Sequence, residues 1–365
     1  MKSIRVSLKD RSYNILIGRG TLKGCGHILR RLKIGRDAIV ITSKPLFNLY
    51  GNTLKDSLRK GRLTSTFELV PDSERAKSYK VAISVLNRIS SYDTKKQVFI
   101  IALGGGVIGD LAGFIAAIYK RGTPYVQIPT TLLAQVDSAI GGKVAINLEV
   151  AKNLVGAFYQ PRIVLSDISL IRTLSKRQIR NGLAEIIKYG VVRDPRLFEF
   201  LENNCEKILA LEPKSLEFII SRSSAIKATV VEDDEFDIKG LRAILNYGHT
   251  IGHAVEAASG YSKQYHHGEA LAIGMVVASH IASTLGLIKL NDAQRLEKLI
   301  ERVGLPTKIA GLKFNDIYEA HLHDKKFIRG RNRLVLPTRI GSVKLVQDVP
   351  DSLIRAAIKK NLRNA

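Results

Sequence analysis

Four of the chain's eight histidines, His249, His253, His266 and His267, fall within nineteen residues of the stretch 241–272. Arg242, Asn246, Glu256 and Glu269 lie around them. Imidazole and carboxylate are ligands for zinc and similar divalent ions, while guanidinium, amide and imidazole groups hydrogen-bond phosphate oxygens. Ile244, Leu245, Ile251, Ala254, Val255 and Ala258 recur at helical spacing, which predicts a helix through the first half of the stretch. On it Arg242, Asn246, His249 and His253 follow at steps of four, three and four, which stacks them on one face. Such a face could bind an anion, a metal ion or both. A catalytic zinc normally takes three protein ligands and leaves a fourth position open, so a third donor has to come from elsewhere.

Three further stretches carry chemistry. The run Gly104-Gly105-Gly106-Val107-Ile108-Gly109-Asp110 follows the apolar segment VFIIAL and opens a helical pattern. Gly104, Gly106 and Gly109 satisfy G-x-G-x-x-G in a strand–turn–helix setting, where a backbone without side chains approaches a pyrophosphate facing a helix N-terminus. The turn sits near residue 104 rather than in the first βαβ unit, and no acid lies about 20 residues on. A dinucleotide is expected, though not in the ordinary Rossmann order. Thr130 and Thr131 then follow the end of a strand, where open α/β sheets bind ligands. Asp137, Lys143, Lys152 and Asn153, close by in sequence beside Gly141-Gly142, could meet around a polyol phosphate. In Asn181–Gly190, Glu185 and Lys188 are three apart on one helix face with apolar flanks, which suggests a site rather than an exposed ion pair. Glu185 is the best candidate for the missing metal ligand.

The elements that must position these residues divide into two kinds. Up to about residue 170, β-type runs (SIRVSL, YNILIG, AIVIT, STFELV, VFIIAL, YVQIP, IVLS) alternate with helical patterns near 21–32, 45–60, 75–91 and 107–119. SIRVSL and YNILIG read as an opening hairpin, and the rest as a parallel sheet covered on both faces. From 171 to 365 nearly every pattern is helical, with Asp194-Pro195 and Glu212-Pro213 as helix starts and only RNRLVLPT and SVKLV as later strands. The expected organisation is a Rossmann-like α/β domain over 1–170 that binds the dinucleotide, and a mostly α-helical domain over 171–365 that binds metal and substrate. A ligand cleft between them is expected.

Composition narrows the function classes. Apolar residues make up 45% of 365, ample for a sizeable core, and no run approaches the roughly 18 apolar residues of a membrane span. The first residues, MKSIRVSLKD, lack the apolar segment of a signal peptide. Cys25 and Cys205 have no metal-ligand spacing, so a reduced cytoplasmic protein is expected. The net charge of +24 invites a nucleic-acid reading, but the basic residues spread along the whole chain with no basic tail, RNA signature or zinc-finger spacing. A proteome-wide basic bias, or an anionic small substrate drawn in by the field, explains the charge at least as well.

Taken together, PDSERAKSYK, GGGVIGDLAGFIAAIYKRG, PTTLLAQVDSAIGGK, KNLVGAFYQP, GLAEIIKYG, LRAILNYGHTIGHAVE, HHGEALAIGM, DKK and LPTRIG resemble the 3-dehydroquinate synthase family over nearly the whole chain. The resemblance implies a lyase of the shikimate pathway that turns 3-deoxy-D-arabino-heptulosonate 7-phosphate into 3-dehydroquinate and phosphate. It implies catalytic NAD and a divalent metal, zinc or cobalt, on Glu185, His249 and His267. NAD would lie on Gly104, Gly105, Gly106 and Asp110, with Thr130, Thr131, Glu74 and Lys77 helping and Lys143 and Lys152 nearby. Ser43 stands where the family has an Asp or Asn near the adenine ribose. Substrate would meet Asp137, Lys143, Lys152, Asn153, Lys188, Lys227, Arg242, Asn246, His253 and a lysine of Lys325-Lys326. Of these, Lys188, Asp137, Asn246, His253, Arg242, Lys143 and Lys227 would also serve the chemistry. Arg121 resembles an arginine that reaches a neighbouring subunit, which implies a homodimer. The family's E-x-G-[IL]-R becomes Asp237-Ile238-Lys239-Gly240-Leu241-Arg242, one residue longer. Related sugar phosphate cyclases act on other sugar phosphates, and some replace the positions of Asn246, His253 and the DKK lysine. A metal-dependent polyol-phosphate dehydrogenase is the other enzyme class to weigh.

Overall fold

The computed structural model describes residues 1–93, 96–149, 151–260, 264–322 and 332–363. The chain forms two compact units, Met1–Leu174 with Leu216–Phe236, and Ser175–Ser215 with Asp237–Ala365. A single boundary near 170 is therefore too simple. The segment 216–236 lies beyond that boundary yet groups with the first unit. Its side chains explain why: Glu232 accepts from the backbone N–H of Ser7 at 2.6 Å, Glu235 takes the Arg11 guanidinium, and Lys227 pairs with Asp137.

The first unit is built on a seven-stranded sheet. Its strands are β1 (Lys2–Val6), β2 (Tyr13–Gly18), β3 (Asp37–Ser43), β4 (Thr64–Val70), β5 (Val98–Gly104), β6 (Tyr125–Pro129) and, after the two strands of a small hairpin, β7 (Lys143–Ile146) and β8 (Val155–Phe158), the strand β9 (Ile163–Asp167). The order is β1-β2-β9-β6-β5-β3-β4, parallel except for the antiparallel edge pair β1–β2. Parallel strands are buried on both faces, so successive residues serve opposite cores. Ile39, Ile41 and Ile100 pack under the helices Tyr79–Tyr92 and Gly106–Ile118, while Val40, Phe99 and Ile101 pack under Thr21–Leu32 and Asn52–Lys60. β3 leads outward to β4, whereas β5, its neighbour on the other side, leads to β6. The strand order reverses between β3 and β5, and the carboxyl ends there, Ser43 and Gly104, flank the place where such sheets hold ligands.

The second unit is mostly helical, with one hairpin of β10 (Arg333–Arg339) and β11 (Ser342–Gln347). The helix Lys176–Arg193 starts at a capping box, Ser175 with Gln178, and is buried from Gly182 to Val192. The helix His267–Thr284 is buried along most of its length, as its all-round apolar sequence requires. Asp194 caps the helix Pro195–Leu209 by accepting from the N–H of Leu197, with Pro195 in the first turn. Among the described residues no helix is long and apolar enough to cross a membrane.

The histidine stretch departs from the expected single helix. A 3₁₀ turn covers Leu241–Asn246, the chain breaks at Tyr247, and a new helix runs His249–Ala258. Tyr247 is drawn into the core, where its hydroxyl donates to Met275 O at 3.1 Å and meets Ser279 Oγ at 2.8 Å. Gly248 then turns the chain at φ 78, a left-handed conformation that glycine adopts without cost. A side chain there would also run into Met275 and Leu271. Arg242 and Asn246 therefore do not share one helical face with His249 and His253.

Candidate functional site

In the second unit three elements converge. Glu185 comes from the Lys176–Arg193 helix, His249 from the first residue of the helix after Gly248, and His267 from the first residue of the long buried helix. His249 Nε2 stands 3.4 Å and His267 Nε2 3.3 Å from Glu185 Oε1. One ligand atom from each of the three lies within 4.8 Å of the others. Tetrahedral donors at about 2.0–2.2 Å from zinc stand about 3.3–3.6 Å from one another. The two measured edges match that spacing, so this donor set fits a divalent ion such as zinc or cobalt. Asn181, on the same helix as Glu185, accepts from the Gly268 N–H and ties the start of the His267 helix to it.

Lys188, one turn beyond Glu185, is 2% exposed, and its Nζ lies 2.5 Å from Glu185 Oε2. Burial pushes the Glu185 carboxyl up, but the Lys188 charge and hydrogen bonds from both imidazoles outweigh it and hold the group well below the usual carboxylate range. Burial pulls His249 down, helped by the Lys188 charge. Burial also pulls on His267, but its bonds to Glu185 and Glu256 outweigh that and raise it to about 10. The site thus presents an ionised carboxylate before any cation arrives. His253 is exposed, with its ring centroid 5.3 Å from that of His249 and 6.4 Å from that of His267. Arg242 is buried and Asn246 half-buried on the 3₁₀ turn. His266 caps the helix that His267 begins, its backbone N–H donating to Glu269, which in turn takes the Arg177 guanidinium. Lys325 and Lys326 lie outside the described residues.

In the first unit the glycine turn closes β5, and Gly104 O accepts from the Thr130 N–H at 3.0 Å. Among the described residues no side chain caps the helix Gly106–Ile118, so its first N–H groups can face an anion. A Cβ on Gly105 or Gly106 would fill the space beside Thr131 and Ser138, as expected of a turn that lets a ligand close to the backbone. Lys77, 5% exposed, donates to Asp110 at 2.6 Å and to Asn153. Burial pushes Asp110 up to about 6, against the opposing pull of Lys77. Lys227 donates to Asp137 at 2.5 Å. Lys143 on β7 lies 5.8 Å from the Phe158 ring centroid, and Lys152 is exposed in the loop before β8. Ser43, at the end of β3, is fully buried, and its hydroxyl has no hydrogen-bond partner among the described residues. Arg121 is exposed on a turn where both it and Lys120 have positive φ, 62 and 50.

Asn147, to which the sequence reading gave no role, joins two of these groups. Its amide donates to Glu74 Oε1 at 2.7 Å and accepts from the Asn153 N–H at 2.9 Å, while its own N–H donates to Lys77 O at 2.8 Å. A lone Asn at the end of a short strand carries no signal by itself, and the bridge becomes visible only when Glu74, Lys77 and Asn153 are in place.

Residues 68–181 match the family described as 3-dehydroquinate synthase N-terminal, and residues 182–327 the one described as 3-dehydroquinate synthase C-terminal. Relatives named 3-dehydroquinate synthase include one from Desulforamulus reducens, 43% identical over 361 residues, covering 99% of this chain and 100% of that protein. Another, from Pelotomaculum thermopropionicum, is 46% identical over 342 residues, with 93% and 92% covered. The chain belongs to the 3-dehydroquinate synthase family. Among solved structures, a 2-deoxy-scyllo-inosose synthase complexed with carbaglucose-6-phosphate, NAD+ and Co2+ is similar at a TM-score of 0.89 and 27% identity, covering 99% and 100% of the two chains. A 2-epi-5-epi-valiolone synthase from Streptomyces hygroscopicus with NAD+ and Zn2+ bound follows at 0.87 and 28%, covering 97% and 98%. The fold of this chain is thus shared with synthases of other names, and identity separates them: the relatives named 3-dehydroquinate synthase are much nearer in sequence.

Proposed function

We propose that this chain is a 3-dehydroquinate synthase, converting 3-deoxy-D-arabino-heptulosonate 7-phosphate into 3-dehydroquinate and phosphate with catalytic NAD and a divalent metal, zinc or cobalt. The observation that carries the reading is the convergence of Glu185, His249 and His267 in a chain 43% identical to a 3-dehydroquinate synthase along its whole length. In this reading those three hold the ion. NAD lies on the Gly104–Gly106 turn with Asp110, Thr130, Thr131, Glu74, Lys77 and Ser43 around it. Bound NAD supplies a hydride acceptor that is also the later donor, and a bound cation supplies a Lewis acid at the oxygen being oxidised.

The chain's own residues do the rest. Lys188, buried beside Glu185, hydrogen-bonds the substrate oxygen that loses its proton. Lys152, Asn153, Arg242, Asn246, His253 and a lysine of Lys325-Lys326 hold the phosphate and hydroxyls by charge-assisted bonds. Asp137, with Lys227 against it, and Lys143 orient the sugar. The proton next to the new ketone leaves with the substrate's own phosphate as base, and the C–O bond to that phosphate breaks and phosphate departs. The ketone takes its hydride back to become an alcohol again, and ring opening and aldol closure follow. The homodimer belongs to the same reading, with Arg121 serving the partner's phosphate site. So does a reduced cytoplasmic setting, which suits two free, buried cysteines.

The test is phosphate release from the heptulosonate phosphate with NAD and zinc or cobalt, with and without chelator. The reading predicts release that stops with chelator and no net NADH. Accumulating NADH would identify a dehydrogenase. Release from sedoheptulose 7-phosphate but not from the deoxy acid would identify another cyclase.

A further inference from the structure

His267 has a second carboxylate neighbour. Its Nε2 faces Glu185, while its Nδ1 stands 3.3 Å from Oε2 of Glu256. Glu256 lies on the same helix as His249, seven residues further on, which places both on the side that meets His267. Its side chain is 17% exposed. Two overlapping donor sets therefore share one imidazole: Glu185, His249 and His267, and His253, Glu256 and His267. They differ in burial. Glu185 is 1% and His249 12% exposed, whereas His253 stands open to solvent. A neutral imidazole can present only one nitrogen as a ligand while the other carries the proton. Which nitrogen that is depends on what the other one meets.

We propose that Glu256 is a positioning residue for the ion site: by accepting the Nδ1–H of His267 it holds that ring in the tautomer and orientation that presents Nε2 to the ion. The inference rests on the proposed ion site at Glu185, His249 and His267. A carboxylate behind a ligating histidine fixes the ring and raises its basicity, and its loss typically weakens metal binding about ten- to a hundredfold. In this proposal Glu256 acts through the His267 ring and is not itself a ligand.

The experiment is competition of Co2+ between a chromophoric chelator and the full-length protein, for wild type, Glu256→Ala, Glu256→Gln, His253→Ala and Glu185→Ala. Thermal unfolding of each metal-free variant checks the fold. Glu256→Ala should raise the Co2+ dissociation constant about ten- to a hundredfold in protein that still unfolds cooperatively without metal. Glu256→Gln keeps an acceptor oxygen and should recover part of that loss; it carries the test if the alanine variant does not fold. His253→Ala should bind as wild type does. Wild-type affinity in both Glu256 variants, with binding lost in Glu185→Ala, overturns the role of Glu256 and leaves the ion site standing. Binding retained in Glu185→Ala but lost in Glu256→Ala and His253→Ala overturns both, and moves the ion to the outer set.

Discussion

Glu185 Oε1 and His267 Nε2 are 3.3 Å apart although 82 positions separate them in the chain. That distance is long for a charge-assisted hydrogen bond and right for two ligands of one tetrahedral ion. The second unit brings a carboxylate from one helix against the first residues of two others, and every chemical consequence of the site depends on this convergence.

Lys188 is in direct contact with Glu185, and both are buried. Removing one partner of a buried ion pair strands the other, at a cost of about 3–5 kcal/mol. Lys188→Met should therefore destabilise the metal-free protein by that order, and saturating zinc should restore much of the loss, because the cation replaces the missing charge. Urea unfolding with and without zinc measures both. The variant should release phosphate at least about a hundredfold more slowly than wild type even when metal-loaded.

Asp110 gives a pH signature in the first unit. Burial raises its folded-state value to about 6, above the roughly 3.9 of an unfolded Asp. Between those values the folded chain binds the extra proton, so this group lowers stability progressively as pH rises from about 4 to about 6. Asp110→Asn cannot ionise. The stability of wild type relative to that variant should fall across this window and level off above it, in unfolding curves taken at unit steps of pH. A difference independent of pH would remove Asp110 as the titrating group.

Gly248→Ala tests the break that separates the 3₁₀ turn from the His249 helix. Alanine at φ 78 costs roughly 1–3 kcal/mol, and its methyl group meets Met275. The unfolding midpoint should drop, and zinc affinity should drop with it, because His249 is the next residue.

Arg121 tests the shared site. If each subunit lends this arginine to its partner, Arg121→Ala and Lys227→Ala homodimers are both nearly inactive, yet mixing and reassociating them restores roughly a quarter of wild-type activity in a symmetric dimer. No recovery in confirmed mixed dimers would mean that Arg121 acts within its own chain.

Most of the first unit could be read from the chain because a doubly covered parallel sheet writes its strands as uninterrupted apolar runs. VFIIAL and AIVIT are β5 and β3, and the glycine turn opens a helix after β5. The hairpin β7–β8 escaped because Val155–Phe158 is exposed throughout and has no alternation. The histidine face was misread for a different reason. Helical periodicity continues through Tyr247 and Gly248, and only the burial of the Tyr247 ring and the left-handed glycine end it. The bond from Lys227 to Asp137 likewise depends on the segment 216–236 rejoining the first unit, which local pattern does not reveal. Glu185 was legible as a buried acid on an apolar helix; its partners His249 and His267 came from the family resemblance, because local pattern alone does not choose among the histidines.

The most direct measurement is a crystal of the cobalt-loaded protein with anomalous scattering collected at the cobalt edge. One peak bonded to Glu185, His249 and His267 at about 2.0–2.2 Å is the predicted result. A peak held by His253 and Glu256 without Glu185, or none at all in a fully active crystal, would contradict it.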